Sequence, residues 1–170
     1  MRPLLALLAA ASLASPAAAQ SCLTATEAEA IVQVSLPEVI RDAGRVCATL
    51  PATSLLRRPS GAFLSKYDVA ADGAWPAARA ALGKLSDPRF SALLMSDLAR
   101  PLVTSLVAPQ VTGQIQAADC PTLDRLVTLL EPLPARNTAG IVAATLQYLK
   151  AERAKGGRID IPDLPVCAAK

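Results

Sequence analysis

The stretch TATEAEAIVQVSLPEVIRDAGRVC, residues 24–47, decides the fold class of this chain. Thr24 is followed three residues later by Glu27, which forms a capping box, a pattern in which each side chain bonds the other residue's backbone N–H at a helix start. Apolar residues then recur at helical spacing. A second box begins at Ser35, with Pro37 in the first turn, where its missing N–H costs nothing. We therefore predict two successive amphipathic helices.

The middle of the chain continues the helical pattern, and no segment alternates like a strand. A third helix is predicted over about 61–85, and Pro76 should kink or split it. Asp87 and Pro88 start a very apolar helix that Pro101 should bend. A helix that is apolar on most sides is typically the buried centre of a bundle.

The C-terminal part predicts two further helices and an extended tail. One helix begins at Asp119 or Cys120, and the last, over about 138–154, is capped by Asn137 and ended by a Gly-Gly pair. The proline-containing tail should run extended, held by the last cysteine. The predicted fold class is therefore all-α, a single disulfide-stapled bundle of about six helices with an extended C-terminal tail.

The first residues have the layout of a secretory signal peptide. A positive Met1-Arg2 start precedes an apolar run of about 11 residues, and small residues follow at 17–19. The run is too short for a membrane span, which needs roughly 20 residues. We predict that 1–19 is removed and that 20–170 forms one helical domain, exported to the periplasm or the cell exterior.

Cys22 leaves a second interpretation open, in which it carries a lipid anchor. Signals of that class place a large aliphatic residue three positions before the cysteine and small residues just before it. Ala19, Gln20 and Ser21 occupy those positions here, and Gln20 fits poorly. The sequence therefore favours ordinary cleavage.

Four cysteines remain after cleavage, and an even count in an oxidising compartment predicts two disulfides. They are Cys22, Cys47, Cys120 and Cys167. Four cysteines allow three pairings, of which Cys22–Cys47 and Cys120–Cys167 join neighbours in chain order and are favoured. No metal site is predicted, because there is no histidine and no two cysteines lie within 20 residues of each other.

Charge and composition exclude several function classes. The net charge is +3 and falls to +2 when Arg2 leaves with the signal. This is too weak for nucleic-acid binding, which needs a clustered basic face. Without histidine, the Ser-His-Asp and Cys-His hydrolases are excluded, and no nucleotide-binding or cofactor motif occurs. No cofactor is expected.

Two carboxylates are the weak catalytic candidates that survive. Asp68 and Asp72 are four residues apart on the third helix, so both lie on one face and could act as an acid and a base. Asp160 and Asp163 in the tail provide too few oxygens for a Ca²⁺ site.

Three of the five aromatic residues lie at multiples of four on the same helix, at Phe63, Tyr67 and Trp75. They are candidates for the wall of an apolar ligand groove. The alternative is that they form the core stripe of this helix.

The sequence thus predicts an exported, non-catalytic helical protein. Its expected partner is an envelope component, a protein or an apolar small molecule. The alternative is a metal-independent hydrolase or lyase that uses Asp68 and Asp72.

Overall fold

The computed structural model describes residues 22–58, 60–158, 161 and 165–167. This part of the chain forms six α-helices and no strand, which confirms the all-α class. The helices are α1 (Ala25–Val46), α2 (Ala62–Leu85), α3 (Ser91–Leu94), α4 (Ala99–Thr112), α5 (Cys120–Leu130) and α6 (Ala135–Ala154). Short 3₁₀ turns lie at Leu55–Arg57, Pro88–Phe90 and Ala117–Asp119.

Helix α1 is the central element and packs against α2, α4 and α6. Its capping box is confirmed: the Glu27 N–H donates to Thr24 Oγ1 at 3.3 Å, and the Thr24 N–H donates to Glu27 Oε2 at 2.7 Å. The buried stripe of α1 includes Val34 and Ile40, which belong to two separate apolar clusters. Helix α1 therefore connects both halves of the core.

The predicted start of a new helix at Ser35 is wrong, because α1 continues through Pro37. A proline inside a helix removes a hydrogen bond and ordinarily costs about 3 kcal/mol. Burial of Pro37 together with Leu36 and Ile40 offsets this cost. Ser35 instead donates from Oγ to the carbonyl oxygen of Ile31 at 3.0 Å.

Helix α2 matches the predicted third helix closely, but Pro76 does not split it. The proline is exposed, whereas Ala74 and Ala78 on either side of it are buried in the cluster shared with α1. Small side chains let the two helices approach closely. Packing against α1 therefore keeps α2 continuous across the proline.

The very apolar segment departs most from its prediction. It forms a 3₁₀ turn, the short helix α3 and then α4, and its two parts meet at an angle of 105°. Ser96 donates from Oγ to the carbonyl oxygen of Leu93 at 2.7 Å, which helps to end α3. Only Ala99, Ala108 and Thr112 of α4 are buried. The segment therefore lies at the surface rather than at the centre of the bundle.

The C-terminal elements follow the predicted order. Helix α5 begins at Cys120 with a proline in its first turn, as predicted. Helix α6 begins three residues earlier than predicted, after Pro134 rather than after Asn137. The preset φ of Pro134 suits a helix start, so no side-chain cap is needed. Gly156, with φ of 95°, lies just beyond the helix end.

The predicted disulfide pairing is wrong. Cys22 bonds Cys167, with Cα atoms 5.0 Å apart, and Cys47 bonds Cys120, with Cα atoms 5.5 Å apart. The predicted Cys22–Cys47 bond is impossible because these residues flank opposite ends of α1, whose 22 residues span about 33 Å. Cys47 is fully buried.

The Cys22–Cys167 disulfide holds the tail against the start of α1. The Leu23 N–H donates to the carbonyl oxygen of Pro165 at 2.7 Å, and the Cys167 N–H donates to that of Leu23 at 2.8 Å. Leu23 and Val166 form an isolated parallel bridge and are both buried. The described tail residues are therefore extended and pinned, as predicted.

Candidate functional site

A cleft of about 490 Å³ lies between α1, α2 and the segment that links α3 to α4. We call it the α2 cleft. Its polar wall includes Glu38 and Arg41 from α1 and Asp68 and Arg79 from α2, while Trp75 supplies an apolar surface. The cleft contains two of the side chains that the sequence singled out, Asp68 and Trp75.

Asp68 is engaged by an arginine on the wall of this cleft. Nη2 of Arg41 donates to both carboxylate oxygens of Asp68, at 2.8 and 2.9 Å. Both side chains are partly exposed, so the ion pair is not sealed from water. The contact joins α1 to α2 and neutralises the carboxylate's charge.

Asp72, the second carboxylate of the predicted pair, does not line the α2 cleft. It is exposed and forms an ion pair with Arg100 of α4. Each carboxylate therefore has its own arginine partner, which comes from a different helix in each case.

The three aromatic candidates separate into two environments. Phe63 and Tyr67 are buried in the core, with their ring centroids 5.4 Å apart in an edge-to-face arrangement. Burial raises the pKa of Tyr67, whose hydroxyl lies 3.4 Å from Oγ1 of Thr138. Trp75 alone is partly exposed and lines the α2 cleft. Phe63 and Tyr67 thus follow the core alternative that the sequence left open.

Lys66 ties the aromatic core to the turn between α5 and α6. Its Nζ lies 4.9 Å from the ring centroid of Tyr67 and donates to the carbonyl oxygens of Glu131 and Leu133, the latter at 2.9 Å. Burial lowers the pKa of Lys66. These contacts give Lys66 a structural role.

A second cleft, of about 440 Å³, was not predicted from the sequence. Four arginines line it: Arg41 and Arg45 of α1, Arg57 at the end of the 3₁₀ turn Leu55–Arg57, and Arg58 directly after that turn. We call it the arginine cleft. Arg41 and Arg45 are four residues apart, and this spacing in the sequence indicates that both lie on one face of the helix. Only the fold shows that Arg57 and Arg58 lie beside that face.

A row of exposed leucines begins at Leu98, directly before α4, and continues along α4 at Leu102 and Leu106; we call these three residues the apolar ridge. Their side chains are 66%, 43% and 69% exposed. Spacing of four places them on one side of the helix. Phe90, Leu93 and Met95, just before α4, are also exposed.

The described ranges contain neither a cluster of metal ligands nor a single helix suited to span a membrane. No group of three or more histidine, cysteine or acidic residues there could hold a metal ion. No single helix is both long and apolar enough to cross a bilayer, and only the bent pair Pro88–Leu94 and Ala99–Thr112 reaches that length and composition together. The predicted signal peptide and the tail residues Asp160 and Asp163 lie outside the described residues.

The chain matches no protein-family model, no curated protein sequence and no solved structure. Its class is therefore defined by its own architecture, that of an all-α protein stapled by two disulfides. Any functional inference rests on the two clefts and the apolar ridge.

Proposed function

We propose that this chain is an exported, non-catalytic binding protein that docks a protein partner on the apolar ridge. The observation that carries the proposal is the exposure of Leu98, Leu102 and Leu106 on one side of α4. Scattered exposed leucines are ordinary, but a row of them on one helix face is typical of an interaction surface. Disulfides are typical of an oxidising compartment, which supports the export part of the proposal.

The shape of the ridge favours a protein over a small apolar molecule. Small ligands are held in concave sites that bury most of their surface. The ridge instead lies along one helix for about 12 Å from Leu98 to Leu106, at 1.5 Å per residue. Such a stripe suits insertion into a groove or packing against another helix.

The charges of this segment favour a protein over a lipid surface. Helices that lie on membranes carry several lysines or arginines on the polar face. Within residues 88–112 the cations are Arg89 and Arg100 alone. Arg100 is already paired with Asp72. The segment therefore lacks the cationic face that anionic lipids attract.

Photo-crosslinking tests the proposal in the organism's own cell envelope. A photoreactive phenylalanine analogue is placed in separate variants at Leu98, Leu102 and Leu106, and in a matched control at Leu129 of α5, which is 63% exposed. We expect one discrete adduct at position 106 that is absent at position 129. An adduct at twice the chain mass would replace the partner by a second copy, and no adduct at 98, 102 or 106 would overturn the proposal.

Affinity measurements with the captured protein complete the test, since capture alone does not define the site. The double variant L102Q/L106Q should weaken binding by at least about a hundredfold, because each buried leucine contributes about 1.5–3 kcal/mol. The control L129Q should leave binding within about twofold. Equal losses in both variants would show that the ridge is not the docking surface.

A further inference from the structure

We propose that the arginine cleft binds the phosphate group of a phosphate monoester, with Arg57 and Arg58 as the principal ligands. The proposal goes beyond the docking function of the apolar ridge and uses a different part of the molecule. It rests on the pairing of the four arginines, the packing that assembles the cleft, and the apolar surface beneath them.

The arginines of the cleft fall into two pairs with different partners. Arg41 and Arg45 are both within ion-pair distance of Glu38, at 3.6 and 3.0 Å, and each has a further aspartate partner. Neither Glu38 nor Asp68 is among the residues that line the arginine cleft, and both line the α2 cleft. The charges of Arg41 and Arg45 are therefore already compensated.

Arg57 and Arg58 bond only backbone carbonyls among the residues that the structure describes. Nη1 of Arg57 donates to the oxygen of Ala48 at 2.6 Å, and Nη2 of Arg58 donates to that of Thr53 at 2.8 Å. A guanidinium has five N–H donors, so most of them remain available. Two arginines without an ion pair among the described residues match a phosphate monoester, which carries nearly two negative charges near neutral pH.

Arg57 also has an unused donor on an edge of its guanidinium group that can bind an oxyanion. Its Nε is buried without a hydrogen-bond partner among the described atoms. A buried donor left unpaired is unfavourable, and native structures seldom retain one without a reason. Nε and Nη2 together form the fork that bonds two phosphate oxygens at once. A phosphate that reached Nε would satisfy this donor.

The cleft is assembled by an unusually close contact between α1 and the 3₁₀ turn. A Cβ atom at position 44 would overlap the carbonyl oxygen of Leu56, so Gly44 is what permits the approach. The contact brings Arg57 alongside the face of α1 that carries Arg41 and Arg45. The disulfide between Cys47 and Cys120 lies just beyond the end of α1 and restrains the same loop.

Apolar residues beneath the guanidinium groups favour an ester over free phosphate. Ile40, Leu56 and Leu64 line the cleft and are buried. The volume of about 440 Å³ falls within the range of small-molecule sites, roughly 300–1,000 Å³. Phosphate would meet the arginines, and the organic group would contact the apolar surface.

Calorimetric titration of the oxidised, full-length mature protein tests the proposal with three probes. They are inorganic phosphate, glycerol 3-phosphate and the short-chain lipid dihexanoylphosphatidic acid. Tighter binding of glycerol 3-phosphate than of inorganic phosphate would identify a small soluble ester, and binding of the lipid alone would identify a lipid phosphate. Both results support the phosphate site. If none of the three binds at low millimolar concentration, the proposal is overturned.

Substitutions of the arginines show where the phosphate probe binds. R58Q, at an exposed position, should weaken binding by about tenfold, and R57Q/R58Q should abolish it, because hydrogen bonds between charged partners are the strong ones. R57K keeps the charge but loses the fork, so it should bind several-fold more weakly than the wild type. The control R89Q removes the same charge at a side chain that is 90% exposed and outside the cleft.

Thermal melts show whether each variant is folded. If folded R58Q and R57K bind as tightly as the wild type, Arg57 and Arg58 are not the ligands. An equal loss in R89Q would show that net charge alone attracts the probe. Either result would overturn the assignment of the site.

Discussion

Arg41 on α1 and Asp68 on α2 form the ion pair that separates the two clefts. One nitrogen of the arginine, Nη2, lies within 2.9 Å of both carboxylate oxygens. Arg41 lines both clefts, whereas Asp68 lines only the α2 cleft. The pair therefore links the two central helices at the point where both candidate sites meet.

We expect this pair to contribute measurably to stability despite its partial exposure. In a double-mutant cycle with R41M and D68N, the coupling free energy should be about 0.5–1 kcal/mol, at the upper end for exposed pairs. Urea unfolding of the four proteins measures it. The more exposed pair Arg89–Asp87, at 3.8 Å, is the control and should couple by less than about 0.3 kcal/mol. Equal coupling in both cycles would contradict a special role for Arg41 and Asp68.

The disulfide pairing can be read directly from tryptic peptides of unreduced protein. Cleavage places each cysteine on a different peptide. Trypsin does not cut the Arg-Pro bonds after residues 58 and 100, so the peptide that contains Cys120 begins at residue 90. We expect peptide 46–57 linked to 90–125 and peptide 20–41 linked to 159–170. A link between 20–41 and 46–57 would contradict the structure, because it joins cysteines at opposite ends of α1.

Two glycines in the central helices should respond to alanine with opposite signs. G44A should lower the free energy of unfolding by about 1–3 kcal/mol, because the new methyl group overlaps the carbonyl oxygen of Leu56. G73A, where nothing lies within 4 Å, should raise it by up to about 1 kcal/mol through helix propensity. Urea unfolding of both variants measures these changes in the free energy of unfolding. Stabilisation by G44A would show that the 3₁₀ turn is not held against α1.

Glu27 should make the start of α1 sensitive to acid. A hydrogen bond from Lys84 is the largest cause that lowers the pKa of Glu27 below 4.5, and the backbone N–H of Thr24 adds to it. A lowered pKa in the folded state means that the stabilisation is present above about pH 4.5 and is lost as pH falls through the folded-state pKa.

The variant E27Q tests this dependence, because glutamine keeps the capping box but not the charge. The wild type should have the higher Tm at pH 7, and the difference should shrink as the pH is lowered towards about 3. K84M should reduce the same pH dependence, since it removes the largest cause. A Tm difference between wild type and E27Q that stays constant with pH would contradict the assignment.

The helices themselves were largely predictable because their signals are local. Thr24 and Glu27 specify the start of α1, and the proline after Cys120 specifies the start of α5. Pro37 misled the prediction because its cost is offset by packing partners distant in sequence. The apolar segment was misplaced because composition does not reveal which side chains another helix covers.

The candidate sites were predicted only in part. Asp68 and Trp75 do lie in one cleft, but the partner of each predicted acid, Arg41 for Asp68 and Arg100 for Asp72, comes from another helix. The arginine cleft was missed because it joins α1 to residues that follow a loop. No single segment carries the pattern of such a site.

Local chemistry thus determined that the chain is helical, where most helices begin and end, and that four cysteines are available for pairing. Tertiary structure decided which cysteines meet, because the unbroken length of α1 holds Cys22 and Cys47 far apart. It also decided that Arg57 reaches α1, through the space left by Gly44, and that α4 turns Leu106 outward. Capping and periodicity act over a few residues, whereas these outcomes depend on contacts between residues far apart in the sequence.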